Sequence, residues 1–225
     1  MIVLHESSAG TDRTRDYDPA VIGRVQELLG RQQRVVIELG CGPNKVPGRI
    51  GIDRLPLPGV DIVADLEQGL QFLPDSSVDE IHSESFVEHV EDFEGLMREI
   101  VRVLKPGGTK RLFVPHFSNP YYYSDYTHRR FFGLYTFYYF SADQSALKHR
   151  VPSFYTEIRV KILSQRLRFF SPHRPLHLLK KLIEKIVNHS TRTQEFYEEN
   201  FSSLIPCYGM DVIFTPSKGG DEHKS

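Results

Sequence analysis

A glycine turn between two apolar runs constrains the fold of this chain more than any other feature. Val35 to Leu39 form the first run, Gly40-Cys41-Gly42 follow, and the second run, Ile50 to Ile52, ends at Asp53. Glycines let a backbone approach a ligand closely, and an acid at the end of the next strand can accept two hydrogen bonds from a ribose. The pattern predicts two parallel strands with an adenosine-containing cofactor across their carboxyl ends.

Further segments follow the turn in an order that resembles one family. They are Ile62 to Leu66, Ser77 to Ser83, Phe86-Val87-Glu88-His89-Val90, and Leu104-Lys105-Pro106-Gly107-Gly108 leading into Arg111 to Pro115. The turn itself, Glu38-Leu39-Gly40-Cys41-Gly42, resembles the motif E/D-x-G-x-G. Residues 33–118 therefore resemble a class I S-adenosylmethionine-dependent methyltransferase, and the short form GCGPNK is similar to a group of small bacterial and archaeal members of that class.

The resemblance implies a Rossmann-like α/β fold, with a seven-stranded, mostly parallel sheet, helices on both faces and an antiparallel last strand. It also implies S-adenosylmethionine as the cofactor. The residues expected to hold it are Glu38 near the methionine amino group, Gly40, Cys41 and Gly42 in the turn, Asp53 at the ribose, Asp65 and Leu66 at the adenine, and Ser83 and Glu84 beside the sulfonium. Ordinary strand-ending acids are the alternative for Asp53 and Asp65.

The connection after the turn departs from the usual Rossmann pattern. Only seven residues separate Gly42 from Ile50, and they include Pro43, Pro47 and Gly48. Prolines and glycine make a helix there improbable, so backbone amides of the loop are expected to replace a helix N-terminus at the ligand. The missing third glycine of GxGxxG also argues against a nicotinamide-dependent dehydrogenase.

Three histidines are candidates for the base that a hydroxyl acceptor would require, because a neutral imidazole accepts a proton near pH 7. His116 directly follows the fifth predicted strand, His128 lies three residues after Asp125, and His89 lies in the Glu88-His89 pair. We predict His116 or His128 as the base, with Asp125 orienting His128; a polar loop residue is the alternative for each. His116, Asp125 and His128 could instead bind a divalent ion such as magnesium, but their spacing is not diagnostic and no metal is predicted.

The chain is predicted to form a single methyltransferase domain over residues 1–225. Its parts are an N-terminal helix at 17–30, the cofactor-binding core at 33–118, an aromatic substrate lid at 116–157, and C-terminal strands with a basic helix at 158–216. The lid is expected to cover the carboxyl end of the sheet because it follows the fifth strand. Apolar spacing predicts further helices at 93–104 and 175–188, and strands at 158–162 and 210–214.

Composition limits the partners. The formal net charge is −1, which gives no overall attraction to nucleic acid. Cys41 and Cys207 are the only cysteines and provide neither a disulfide framework nor zinc spacing. No secretory pattern or bilayer-spanning run is recognisable, so a cytoplasmic protein is expected. Residues 159–192 hold nine Lys or Arg and one acid, which would suit either a peripheral membrane contact or an ordinary solvated helix face.

These observations favour methyl transfer to a hydroxyl oxygen of a small-molecule or glycan acceptor. Two alternatives remain at this point: a non-catalytic, S-adenosylmethionine-binding regulatory protein, and an RNA or protein methyltransferase. The sequence does not indicate an oligomeric state.

Overall fold

The computed structural model describes residues 19–217. Four α-helices lie in this part: α1 (Pro19–Gly30), α2 (Phe93–Val103), α3 (Arg174–Val187) and α4 (Thr191–Asn200). The strands are β1 (Val36–Leu39), β2 (Ile50–Asp53), β3 (Ile62–Val63), β4 (Val78–Glu84), β5 (Leu104–Pro115), β6 (Val160–Arg168) and β7 (Gly209–Pro216). Residues 1–18 and 218–225 of the predicted domain lie outside the described part.

The seven strands form one sheet in the order β3-β2-β1-β4-β5-β7-β6. β1 to β5 are parallel to one another, whereas β7 runs antiparallel to both β5 and β6. The predicted α/β fold with an antiparallel last strand is therefore confirmed. The strand order reverses between β1 and β4, and ligands of such sheets bind in the crevice at the carboxyl ends of those strands.

The connection from β1 to β2 contains no α-helix, as the sequence predicts. A single 3-10 turn, Gly42–Asn44, begins it, and extended loop follows. The side chain of Lys45 fastens this loop, since its ammonium lies 2.6 Å from Asp61, and Asp61 accepts a hydrogen bond from the Gly51 amide at 2.8 Å. The loop is thus held by an ion pair rather than by helical hydrogen bonds.

The two faces of the sheet differ in polarity. One registered row, Ile37–Ile81–Lys110–Phe214, points into the core. The neighbouring row, Glu38–His82–Arg111–Ile213, points to the other face and borders a cavity. Parallel strands covered on both faces normally read as continuous apolar runs. The polar row is consistent with the missing helix between β1 and β2, which leaves part of this face in contact with water.

Two helices differ from the sequence expectation. The predicted helix at 175–188 exists as α3, but Leu176, Leu179, Leu182 and Ile186 are each at least 50% exposed, and Val187 is its buried residue. α4 was not predicted, because its buried positions are held by Gln194, Glu195 and Tyr197 rather than by an apolar stripe. A capping box between Ser190 and Thr193 begins α4 and was its sequence signal. Within residues 19–217, no helix is both long and apolar enough to cross a bilayer.

Candidate active site

A cavity of about 490 Å³ lies at the carboxyl ends of β1 to β4, within the range typical of small-molecule sites. Four of the residues predicted for the cofactor line it: Gly40, Asp53, Asp65 and Leu66. They come from three separate connections of the sheet. The structure thus brings the ends of β1, β2 and β3 to one concave site.

The glycine turn adopts a conformation that suits glycine. Gly40 and Gly42 have φ of +62° and +54°, in the left-handed region that other residues rarely adopt. A Cβ at Gly40 would also lie 2.5 Å from the ring of Phe86. The turn therefore excludes side chains at Gly40 for two independent reasons, conformational and steric.

Asp53 connects the end of β2 to the turn. One carboxylate oxygen accepts a hydrogen bond from the Gly42 amide at 2.9 Å, and the other accepts one from the Leu55 amide at 3.0 Å. Each carboxylate oxygen has two acceptor sites, so both oxygens keep capacity for a ligand hydroxyl. Asp65 is similar: it accepts a hydrogen bond from the Glu67 amide at 3.1 Å and caps the 3-10 turn Leu66–Gln68.

Several predicted cofactor residues do not line this cavity. Glu38 accepts hydrogen bonds from the Val46 amide and from Arg49, both at 3.2 Å, so its carboxylate anchors the loop after β1. Cys41 is buried beside the turn, and burial raises the pKa of its thiol to about 11. The Gly42 backbone is held by Asp53 and lies next to the cavity rather than in its lining.

At the end of β4 the cavity is lined one position later than predicted. Ser83 accepts a hydrogen bond from Lys110 at 2.6 Å, and both Ser83 and Glu84 border a different cavity. Ser85 and Phe86 line the cofactor cavity instead. Ser85 has φ of +48°, and this left-handed residue turns the chain at the strand end. Sequence reasoning missed this turn because serine carries no signal for positive φ.

The predicted lid does reach the cavity. Tyr126, Thr127 and Arg129 line it together with the turn and the strand ends. The amides of Arg129 and Arg130 donate to the Glu88 carbonyl at 2.7 and 3.2 Å. Backbone hydrogen bonds therefore join the lid to the segment that follows β4.

His116 lies away from both cavities in a sealed position. It is 0% exposed, and its ring nitrogens lie 2.8 Å from the Ser118 hydroxyl and 2.9 Å from Glu198 of α4. With both nitrogens engaged and no solvent access, it cannot reach an acceptor in this arrangement. The structure therefore gives His116 a structural role and leaves His128 as the predicted base.

His128, Asp125 and His89 do come together at the cavity edge. His128 Nδ1 lies 2.9 Å from the Tyr122 carbonyl, and its Nε2 lies 3.5 Å from Asp125. The rings of His89 and His128 are 4.9 Å apart, and His89 lines the cavity. Glu88 lies beside them, only 1% exposed, and burial raises the pKa of its carboxyl to about 7. Glu88 was not among the predicted site residues, because a glutamate next to a histidine does not by itself indicate burial.

A second cavity of about 850 Å³ lies over the polar row of the sheet. It meets the cofactor cavity at Ser85 and extends towards α3. Its cationic lining residues are Arg49, Arg111, Arg166, Arg168 and Lys181. Several are already paired: Arg111 with Glu80 and Lys181 with Glu184, at 2.6 and 2.8 Å, and Arg168 with Asp211. The lining is therefore charged but partly neutralised.

One protein family matches part of the chain. Residues 16–111 match a family described as a methyltransferase domain, whose members bind S-adenosylmethionine. No curated protein matches the chain. The matched segment contains the glycine turn, both aspartates and the end of β4. This segment is less than half of the chain, and over it the chain is similar to a methyltransferase domain.

Three solved structures are similar at low identity. One is a S-adenosylmethionine-dependent methyltransferase from Archaeoglobus fulgidus (16% identity, 87% of this chain and 92% of that chain, TM-score 0.47). Another is a complex between the Haloferax volcanii Trm112 methyltransferase activator and a methyltransferase (14%, 94% and 100%, 0.49). The third is Haemonchus contortus phosphoethanolamine N-methyltransferase 2 with S-adenosylhomocysteine (12%, 87% and 52%, 0.47). Similarity at this level does not bear on acceptor or partner.

Proposed function

We propose that the enzyme transfers the methyl group of S-adenosylmethionine to a hydroxyl oxygen of a small-molecule or glycan acceptor. The observation that supports this most is the single cavity shared by Gly40, Asp53, Asp65 and the lid residue Thr127. A nucleoside held at the acids would lie against the lid, where an acceptor can approach. No separate recognition domain is needed for an acceptor of this size.

In this proposal the turn and the two aspartates bind the cofactor. Asp53 accepts hydrogen bonds from the ribose hydroxyls, and Asp65 accepts one from the adenine amino group, with Leu66 beside the ring. The cofactor supplies the activated methyl carbon, so the chain has to align the acceptor oxygen, the methyl carbon and the sulfur, which lowers the barrier substantially.

The acceptor hydroxyl must also lose a proton. We assign this step to His128, oriented by Asp125, because both lie on the lid next to the cavity-lining residues His89 and Thr127. A base placed in this way typically contributes about 10²–10⁴ in rate. The in-line transfer then forms the C–O bond and releases S-adenosylhomocysteine.

We also propose a peripheral membrane contact through α3. This helix exposes Leu178 at 74% and Leu182 at 56%, and it carries Lys180, Lys181 and Lys185 with a single acid, Glu184. Exposed leucines beside lysines suit the interface of an anionic bilayer. Such a contact would favour an acceptor that is itself lipid-linked or phosphorylated.

Calorimetry with S-adenosylhomocysteine tests the cofactor assignment. Asp53→Asn keeps the shape of the side chain but replaces one acceptor oxygen with a donor. We expect at least about tenfold weaker binding, the size of one lost charge-assisted hydrogen bond. Asp211→Asn is the matched control, because Asp211 pairs with Arg168 on β6 and does not line the cofactor cavity. Wild-type protein without affinity for S-adenosylhomocysteine would refute the proposed function.

The acceptor can then be sought directly. Purified enzyme is incubated with cell extract fractions and S-adenosylmethionine carrying a labelled methyl group, and labelled products are identified by mass spectrometry. A labelled ether in a small molecule or glycan fraction would support the proposal. Label found only in RNA or protein would favour the alternative acceptors.

A further inference from the structure

We infer that Glu88, His89 and His128 bind one divalent first-row transition-metal ion at the edge of the cofactor cavity. One potential ligand atom from each of these residues lies within 4.8 Å of those of the other two. Ligand atoms that each lie about 2.1 Å from one ion in a tetrahedral site are about 3.4 Å apart. A contraction of up to about 1.4 Å, within the reach of side-chain rotation, would therefore close the site around an ion.

The hydrogen bonds of the two histidines engage Nδ1 of each ring and leave Nε2 available to bind a metal ion. His128 Nδ1 faces the Tyr122 carbonyl at 2.9 Å, and a carbonyl only accepts, so Nδ1 carries the proton and Nε2 keeps its lone pair. The Thr127 hydroxyl donates its single proton to Asp125 at 2.5 Å. His89 Nδ1 must then donate to the Thr127 oxygen at 3.0 Å, which leaves the His89 Nε2 lone pair unused as well. Carbonyl and hydroxyl partners of this kind fix the tautomer of metal-binding histidines.

Glu88 provides the second, independent observation. Its side chain is 1% exposed, and neither carboxylate oxygen has a hydrogen-bond partner among residues 19–217. An unpaired buried carboxylate is costly, and a bound cation would remove that cost.

The donor set indicates which ions fit. Two imidazoles and one carboxylate suit zinc, iron, manganese, cobalt or nickel, whereas magnesium and calcium prefer oxygen ligands. Asp125, 3.5 Å from His128 Nε2, is close enough to become a fourth ligand or to receive a proton.

The role of this ion rests on the proposed function. His89 and Thr127 line the cofactor cavity, so an open position on the ion would face the acceptor. A bound ion lowers the pKa of a coordinated hydroxyl. The hydroxyl proton passes to Asp125, the oxygen forms a bond to the methyl carbon, and the sulfur leaves with the electron pair of its broken bond. In this state His128 is a ligand rather than the base.

Cobalt(II) is the probe, because its visible absorption reports nitrogen ligands. Full-length protein is stripped with a chelator and titrated with Co²⁺. We expect one equivalent to bind with a visible spectrum, and Glu88→Gln, His89→Gln or His128→Gln to weaken binding by at least about tenfold. Thr127→Val, which removes the hydroxyl that contacts both His89 and Asp125, should weaken Co²⁺ binding about 10–100-fold. His149→Gln is the control, because His149 is an exposed histidine of the same lid segment.

The metal site and the proposed cofactor site can be tested independently of each other. Circular dichroism and S-adenosylhomocysteine calorimetry are run on the same preparations to verify that each variant folds. Wild-type protein that binds S-adenosylhomocysteine but no stoichiometric Co²⁺ would overturn the metal site alone. Co²⁺ binding that is unchanged in all three ligand variants would also overturn it, since the ion would then be bound elsewhere. Absence of both ligands would refute the proposed function as well.

Discussion

At the residue scale, Lys110 is a charged side chain in apolar surroundings. It lies between Ile81 and Phe214 in the apolar row of the sheet and is 1% exposed. The Ser83 hydroxyl is its hydrogen-bond partner at 2.6 Å. Burial lowers the pKa of the Lys110 ammonium well below its usual value, although the charge of Glu38 opposes this. A lysine here costs stability that an apolar residue of similar length would not.

Lys110→Met should therefore stabilise the protein at pH 7, by about 1 kcal/mol or more. The unfolded chain holds the lysine proton up to about pH 10.4, whereas the folded protein releases it at lower pH. Wild-type stability therefore rises with pH through that window, and the advantage of the variant should shrink towards pH 10. Urea unfolding at pH 7, 8.5 and 10 measures this. Lys161→Met, at an exposed position of β6, should show no such trend; a pH-independent or negative difference for Lys110→Met would contradict the assignment.

At the element scale, α3 is unusual because it leaves apolar side chains exposed to solvent. Its apolar residues satisfy helical spacing, yet most of them face solvent rather than the sheet. The helix is held by Ile183 and Val187 and by polar contacts: the Asn188 side chain bonds to Leu167 on β6 at 2.7 and 2.8 Å. Its apolar face is thus available to a bilayer without any loss of core packing.

We expect wild-type protein to float with vesicles containing anionic phospholipid, and to be released by salt or by replacing the anionic lipid with a neutral one. Leu178→Glu combined with Leu182→Glu should reduce flotation about tenfold or more, because two leucine side chains would no longer be buried in the bilayer interface. Val63→Glu, an exposed apolar residue on the opposite edge strand, is the control. Equal flotation of all three proteins, or none by the wild type, would exclude α3 as the contact.

At the scale of the whole molecule, the site is assembled from distant parts of the chain. The proposed cofactor side comes from the turn after β1 and the ends of β2 and β3, and the proposed acceptor side comes from the lid, more than 60 residues later. Hydrogen bonds from the lid backbone to Glu88 join the two sides. Cofactor binding and turnover should therefore be separable by mutation.

His128→Gln should lower turnover about 10²–10⁴-fold while leaving S-adenosylhomocysteine affinity nearly unchanged. His116→Gln should retain turnover but unfold at lower temperature, because the partly buried Glu198 loses its imidazole partner at 2.9 Å. Release of S-adenosylhomocysteine with an identified acceptor, together with thermal denaturation, measures both variants. The reverse result, with turnover lost in His116→Gln alone, would place the base at the buried position.

The sequence by itself determined the sheet and the positions of the residues that we propose for the cofactor. Gly40 and Gly42 require positive φ, and Asp53 and Asp65 end neighbouring strands. These are local properties, so residue type and spacing are enough to predict them. The absence of a helix after Gly42 is also a local property, because proline fixes its own φ angle and has no backbone N–H to donate.

Tertiary structure alone decided which polar side chains are buried and which face a cavity. His116 and His128 look equivalent in sequence, but Glu198 of the unpredicted α4 seals the first, whereas the lid carries the second to the cavity edge. The burial of Glu88 and the exposure of the α3 leucines likewise depend on segments far away in the chain. Burial and pairing are sums over such distant neighbours, and no local pattern encodes them.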